Sequence, residues 1–407
     1  MSHLRCSIAT CATTIALHDR TLACPVCGEL LEACIDRPNK EAADLKRIWL
    51  DRRTSFDQRD ISGVWRFREL LPLDYGADHT VSLGEGNTAV VRGHKTAAWA
   101  GVNQLWFKHL GWNPTGSFKD LGMTAGMTEA KFVGAKTVAC ASTGNTAASL
   151  AAYAARAGVR GRVYLPAGQA SNNKLAQALD FGAEVIEIKG SFDDALNELL
   201  ASNDPELYFL NSINPFRVEG QKTAIFELLE CFNWRVPDYL IVPGGNLGNS
   251  SAFGKALEEL QRFGFIDRLP RIVVVQAQGA NPLARMWHAH ASELTPVAKP
   301  ETVATAIRIG NPRSWKKALH GIELTGGFVL DVTDEEIGSA KAMIGHDGIG
   351  CEPASATTLA GIRKLTTAGK LDRDAWVVAM LTGHALKDTD YISKQQAQGH
   401  GEFALAR

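Results

Sequence analysis

The sequence predicts a layered α/β protein built on parallel sheets, and three observations carry that prediction. Short, almost wholly apolar runs rich in Val and Ile recur from about residue 100 onward. Such runs suit strands buried on both faces, as parallel sheets require. Helix-like patterns separate them, and β alternating with α implies right-handed crossovers between parallel strands. Several of those patterns end in glycine, the usual helix stop.

In chain order, residues 1–75 stand apart from the alternation. They hold five of the eight cysteines (Cys6, Cys11, Cys24, Cys27 and Cys34) and a charged segment, RPNKEAADLKRIWLDRRTSFDQRD. That segment reads as a helix followed by a solvated connection. GWNPTGSFKDLG (111–122) is a glycine-rich turn entering a helix through FKDLGMTAGMTEAK, with Ser117 as its cap. The strand candidates are TVACAS (137–142), RVYLPA (162–167), EVIEIK (184–189), YLIVP (239–243), RIVVVQA (271–277) and WVVAML (376–381). Between them fall the helices NTAASLAAYAARAG, NKLAQALDFG and DDALNELLAS. Cys140, Cys231 and Cys351 are far apart and read as small packed hydrophobes.

The bulk numbers narrow the function. The 407 residues carry 43 basic and 44 acidic groups, a net charge of −1. That gives no global reason to bind nucleic acid or an anionic membrane, and points to a small-molecule substrate. No apolar run reaches the roughly 18 residues of a membrane span. MSHLRCSIATCATT lacks the apolar core of a secretory signal. A cytoplasmic protein follows, with thiols in place of disulfides.

Sites in such sheets lie where strands end and helices begin. After TVAC comes ASTGNTAAS, where Ser142, Thr143, Asn145 and Thr146 crowd a helix start. They are either caps for that helix or donors for an anion. After YLIVP comes VPGGNLGNSS, whose glycines and asparagines form either a plain turn or a nest of inward N–H groups for a phosphate. It is neither a Walker A loop nor a dinucleotide fingerprint. After WVVAML comes LTGHALKD, with Thr382 at the strand end, either facing the crevice or capping the next helix. Lys119 lies in the first turn of its helix, where positive charge is unfavourable. A lysine is better tolerated there as a neutral imine, and burial near positive potential is what equips lysines for that chemistry. A phosphate cradle, an asparagine loop, a strand-end hydroxyl and such a lysine together describe a site for pyridoxal 5′-phosphate.

With those motifs in place, the sequence resembles the threonine synthases, pyridoxal-phosphate enzymes of the tryptophan synthase β fold group (fold type II), and most of all the branch that includes the plant enzymes. SLGEGNT, NPTGSFKDLGMT, CASTGNTAASLAAYAARAG, NSINPFRVEGQKTAIFELLE, VPDYLIVPGGNLGN, ANPL and LTGHALKD carry the likeness, in order, from about residue 80 to about residue 392. The resemblance implies two lobes with a crevice between them: a large cofactor-binding domain of residues 76–130 and 223–407, and a smaller inserted α/β domain of residues 131–222. It implies that Lys119 carries the cofactor as a Schiff base and that Asn145 bonds its phenolic oxygen. Gly245, Asn246, Leu247, Gly248 and Asn249 would wrap its phosphate, and Thr382 would meet the pyridine nitrogen. A hydroxyl there leaves that nitrogen largely unprotonated and the ring a weaker electron sink.

The implied activity is conversion of O-phospho-L-homoserine and water to L-threonine and phosphate, in a homodimer. The substrate brings a second phosphate, which the resemblance places at Asn211, Ser212 and Arg217. An arginine fork beside amide and hydroxyl donors suits it, although Arg217 taken alone equally suits a surface salt bridge. Ser142, Thr143 and Thr146 are candidates for the substrate carboxylate. Two rivals stay open: the same fold and cofactor acting on serine or phosphoserine, and a non-catalytic binding protein. At the N-terminus, Cys6-x4-Cys11 and Cys24-x2-Cys27 resemble a zinc ribbon whose second half, CPVCG, is a good knuckle and whose first half departs from the usual spacing. Structural zinc on these four, with His3 and His18 as substitute ligands, stands beside a decayed ribbon without metal.

Overall fold

The computed structural model describes residues 2–73, 75–168, 172–190, 192–202 and 204–397. Its strands are β1 (Ser2–Cys6), β2 (Thr14–Ile15), β3 (Leu31–Ile35), β4 (Val90–Arg92), β5 (Gln104–His109), β6 (Thr137–Ala141), β7 (Arg160–Pro166), β8 (Glu184–Ile188), β9 (Leu207–Phe209), β10 (Tyr239–Pro243), β11 (Arg271–Ala277), β12 (Phe328–Val332) and β13 (Trp376–Leu381). They form three sheets: antiparallel β2-β1-β3, six-stranded β12-β11-β10-β13-β5-β4, and four-stranded β8-β7-β6-β9. The larger two are parallel except where β4 pairs antiparallel with β5.

β10, β11 and β13 occupy the residues their apolar runs predict. Ile241, Val242, Val273, Val274, Val377 and Val378 are fully buried, so both faces of each strand meet core. Tyr239 pairs with Arg271 on one side and Val377 on the other, which aligns the carboxyl ends of these strands. The glycine-asparagine loop and the Thr382 loop therefore open at one edge of the sheet. β6 stops at Ala141, one residue short of its apolar run, although Ser142 N still donates to the Tyr164 carbonyl of β7 at 3.1 Å, while β7 starts two residues earlier than its apolar core, at Arg160.

The helix Lys119–Phe132 packs against the helix Pro215–Cys231 at close range. A Cβ on Gly220 would lie 1.8 Å from the Leu121 carbonyl oxygen, and one on Gly122 would lie 2.7 Å from that of Arg217. Glycine at both positions lets the two backbones touch, and this sets Arg217 beside the first turns of the lysine helix.

Residues before 75 form a helix, Ala42–Asp51, in the charged segment, as expected. The chain after it stays mostly exposed to residue 59 and then enters the core at Trp65, Phe67 and Leu70. One expectation fails: Cys231 is exposed at the end of its helix, whereas Cys140 and Cys351 are buried as predicted. No helix of the described residues is long and apolar enough to cross a membrane.

Candidate active site

Main-chain bonds stitch the lysine turn to the loop after β13. Phe118 N donates to the Thr382 carbonyl at 2.9 Å, and His384 N donates to the Gly116 carbonyl at 2.9 Å. Thr115 is pinned from within the turn by Asp120, which accepts from its N–H at 2.7 Å and its hydroxyl at 2.6 Å. Burial raises the Asp120 carboxyl to about 6. Ser117 accepts from Lys119 N at 3.4 Å, a long cap bond, and Phe118 takes the N-cap position itself. From the 215–231 helix, Gln221 reaches between the lysine helix and the phosphate-type loop: a Cβ on Gly122 would lie 2.8 Å from its amide nitrogen and one on Gly248 4.0 Å from its oxygen, which has no hydrogen-bond partner among the described residues.

Lys119 is half-buried, its Nζ 4.0 Å from the centre of the Phe118 ring. No carboxylate among the described residues forms a salt bridge with it. Burial first, then the guanidinium of Arg217, lower its amine to about 7, partly offset by Glu352. The amine is therefore a base near neutral pH, as the imine reading requires.

The first loop does not cap its helix. Asn145–Ala157 begins after Gly144 with no side-chain cap, and Ala147 and Ala148 donate to the Gly144 carbonyl. Ser142 accepts from Gly144 N at 3.2 Å. Ser142, Thr143, Asn145 and Thr146 are all partly exposed at this helix start, and none of their side chains caps it; Asn145 Nδ2 donates to Glu352 Oε2 at 3.1 Å. In the second loop Leu247 adopts φ 64°, ψ 10° just before the helix Gly248–Arg262, again without a side-chain cap. The amides of Gly245 through Asn249 find no acceptor among the described residues. Five adjacent N–H groups at a helix start fit a phosphate. The Asn249 side chain turns inward to the Pro243 carbonyl and Ser250 N, so its backbone alone faces that site. Asn246 spends its side-chain oxygen on Arg313 N.

Thr382 is buried, with its Oγ1 3.1 Å from Ser355 Oγ and 3.4 Å from Glu352 Oε1. Ser355 Oγ already accepts from Thr382 N at 2.8 Å and Gly383 N at 3.1 Å. Both its lone pairs are used, so its proton goes to Thr382, and the Thr382 proton must point away from Ser355, where Glu352 Oε1 accepts it at 3.4 Å. A ring nitrogen facing Thr382 would have to share that proton with Glu352, which only an unprotonated nitrogen can do.

Arg217 is 1% exposed and has no carboxylate partner among the described residues. Its Nη1 donates to the Leu210 carbonyl at 3.2 Å, and its Nε has no partner. Burial pulls it down to about 10. The surface salt bridge is thus overturned: the guanidinium is buried and meets a carbonyl instead of a carboxylate among the described residues. Asn211 spends its oxygen on Ala141 N at 2.9 Å, leaving its amide nitrogen as a donor, and Ser212 is partly exposed beside it. The helix cap here is Asn214, which accepts from Phe216 N and Arg217 N.

Cys6 and Cys27 lie 3.5 Å apart, Cys11 and Cys24 3.7 Å apart, and all four sulfurs fall within 4.8 Å of one another. Tetrahedral zinc with Zn–S of about 2.3 Å has sulfur–sulfur edges of about 3.8 Å. The odd spacing of the first pair is absorbed by the turn between β1 and β2. His3 and His18 do not join; they pair with Asp36 and Glu129.

Sequence reasoning missed Glu352, Asp120 and Glu85. Glu85 is fully buried and accepts from Ser62, Ser82, Leu83 N and Tyr153. The signal for the last two was a lone acid inside a glycine-rich turn, GEGN and GSFKD.

Comparison with known proteins bears on this geometry. The model of a pyridoxal-phosphate-dependent enzyme family matches residues 81–383. Threonine synthase of Methanocaldococcus jannaschii is 45% identical over 383 residues, covering 93% of this chain and 92% of that enzyme. Threonine synthase of Methanosarcina acetivorans is 43% identical over 395 residues, covering 96% and 94%. Among solved structures, a processed threonine deaminase isoform from Solanum lycopersicum superposes with a TM-score of 0.65 at 18% identity, over 92% of this chain and 98% of that one, a likeness of fold.

Proposed function

The chain belongs to the threonine synthase family of pyridoxal-phosphate-dependent enzymes, and on that premise we propose that it converts O-phospho-L-homoserine and water to L-threonine and phosphate. The observation that carries the substrate assignment is Arg217: a buried, unpaired guanidinium close enough to lower the Lys119 amine, in addition to the anion cradle at Gly245–Asn249. A substrate with its own phosphate, acting beside a phosphorylated cofactor, needs both.

Lys119 and the Gly245–Asn249 amides would hold pyridoxal phosphate, with Asn145 and Thr382 at its ring. Bound there, the cofactor supplies an aldehyde that captures amines and a ring that draws electrons from bonds at Cα. The chain's residues do the rest. Arg217, Ser212 and the Asn211 amide hold the substrate phosphate, and the free donors at Ser142, Thr143 and Thr146 take its carboxylate. Lys119, released from the cofactor, moves protons at Cα, Cβ and Cγ in turn, which an amine near neutrality can do in both directions. Water then adds at Cβ after phosphate has left Cγ.

We also assign a structural zinc ion to Cys6, Cys11, Cys24 and Cys27, on the sulfur spacing described above. Metal analysis of protein prepared without chelator tests it, one zinc per chain being the expected result. A cytoplasmic homodimer is part of the same reading, and so is membership of the branch that includes the plant enzymes, which rests on the motif string while the relatives quoted are archaeal. The deciding assay couples phosphate release to threonine formation. Phosphohomoserine is expected to turn over and phosphoserine not; the reverse preference would replace the reading with a β-replacement or elimination enzyme.

A further inference from the structure

Glu352 is a buried acid that the scheme above leaves without a task. It is 4% exposed and stands immediately before the helix Pro353–Thr367. An acid at that position ordinarily caps the helix, yet its side chain makes no cap bond. The carboxyl is instead laid over Gly383, where any Cβ would come within 2.3 Å of it. Its main chain is fixed there by a bond from Glu352 N to the Gly383 carbonyl at 3.0 Å. No lysine or arginine among the described residues forms a salt bridge with it.

Its two oxygens go to two different lobes. Oε2 accepts from Asn145 Nδ2 at 3.1 Å, from the helix that follows β6 of the four-stranded sheet. Oε1 accepts from Thr382 Oγ1 at 3.4 Å, at the end of β13 of the six-stranded sheet. Asn145 and Thr382 are the groups assigned above to the phenolic oxygen and ring nitrogen. An asparagine amide can flip, and only an acceptor on its nitrogen side fixes which end faces a ligand. Glu352 supplies that acceptor, so the second amide hydrogen of Asn145 remains for the phenolic oxygen. At Thr382 the proton forced outward by Ser355 has two possible acceptors, Glu352 and the ring nitrogen.

We propose that Glu352 is a positioning residue for the cofactor ring, acting through Asn145 and Thr382 at once, and that it sets the hydrogen bonds received by both edges of the ring from a single carboxyl. This inference rests on the reading under Proposed function. Burial raises the Glu352 carboxyl above the usual range, with Asn145, Lys387 and Lys119 opposing and Asp388 adding to the rise.

The test is E352Q in the holoenzyme. Glutamine keeps the shape but offers one acceptor in place of two, so either Asn145 or Thr382 loses its partner. The expected result is a pyridoxal-phosphate dissociation constant weakened about tenfold, with a changed ratio of the cofactor's near-ultraviolet and visible bands and an unchanged apo-protein melting temperature. N145A should give a band change of its own, and adding E352Q or G383A to N145A should change the bands by less than either does in the wild type, leaving only the part that runs through Thr382. G383A, which displaces the carboxyl without removing it, should reproduce the E352Q spectrum and serves if E352Q folds poorly. Wild-type bands and affinity in E352Q and G383A would overturn the inference, as would strictly additive effects of E352Q and N145A. A wild-type protein that binds no pyridoxal phosphate would overturn the underlying functional reading instead.

Discussion

Two groups of buried charges in this molecule obey opposite rules. Between the 215–231 and 248–262 helices, Lys222 donates to Glu219 at 2.5 Å and Glu259 at 2.7 Å. Beside it Lys255 bonds Glu219 and the Ala33 carbonyl of β3. Every charge there has an opposite within reach. At the crevice, Lys119, Arg217 and Glu352 form no salt bridge among the described residues, though Lys119 and Glu352 feel one another. The two lysine amines record the difference. Burial works against the charge of both, but Glu219 and Glu259 outweigh it at Lys255 and raise that amine, while at Lys119 burial and Arg217 act together and lower it to about 7. Charges that hold the fold together are paired, and charges kept for chemistry are left open for a ligand to pair.

The sharpest way to break this contrast is at Lys119. K119A should abolish threonine formation and the visible absorbance of bound pyridoxal phosphate, while the unfolding midpoint does not fall. Persistence of both signals would move the chemistry elsewhere. Lys222 should behave the other way. K222M leaves Glu219 and Glu259 short of one cation in the core and should cost about 3–5 kcal/mol of stability, read as a lower urea midpoint. Below that midpoint its cofactor absorbance should match the wild type. An undiminished midpoint would mean that the network is not needed for stability.

How much of this was legible in the sequence follows from how each segment is buried. YLIVP, RIVVVQA and WVVAML are buried on both faces, so their composition alone marks their limits. The glycine-asparagine loop was legible because few other residues allow so many adjacent amides to face one way. The helix PFRVEGQKTAIFELLEC was not, because all but its last residue are buried. Its charges are paired with Lys108 of β5, with Arg53 and Arg66, and with Lys255 and Glu259 of the next helix, so no polar face appears and Arg217 passes for a surface residue. Glu352 was hidden for a related reason: Glu-Pro-Ala-Ser reads as an ordinary helix start, and only the fold shows the carboxyl lying over Gly383.

Arg217 offers a smaller and more specific test. R217Q removes a buried cation that no carboxylate neutralises, so the melting temperature should stay level or rise slightly. The kcat/KM for phosphohomoserine should fall about 100-fold, the order expected for losing a charge-assisted phosphate contact. Cofactor absorbance should remain. Because Arg217 helps hold the Lys119 amine down, the acidic limb of the rate profile should also move to higher pH. A large loss of stability with unchanged kcat/KM would reassign Arg217 to the structural group.

The smallest effect comes from the same amine in the apo-protein. A lysine at about 7 in the folded chain, against 10.5 as its ordinary value, destabilises the fold. In the window between those values the unfolded chain binds more protons than the folded one, so stability rises with pH across it. Below about 7 the penalty is fully present, and above 10.5 it is gone. K119M, which keeps the bulk of the side chain and loses the charge, should therefore melt a few degrees higher than wild type at pH 7, on the order expected for one to two kcal/mol in a chain of this size. The gap should narrow as pH rises toward 10. Lys255→Met should show no such gap and should melt lower at every pH, because its amine is stabilised by Glu219 and Glu259. Equal melting of K119M and wild-type apo-protein at pH 7 would mean that Lys119 stays solvated there and that the two groups of charges do not differ in kind.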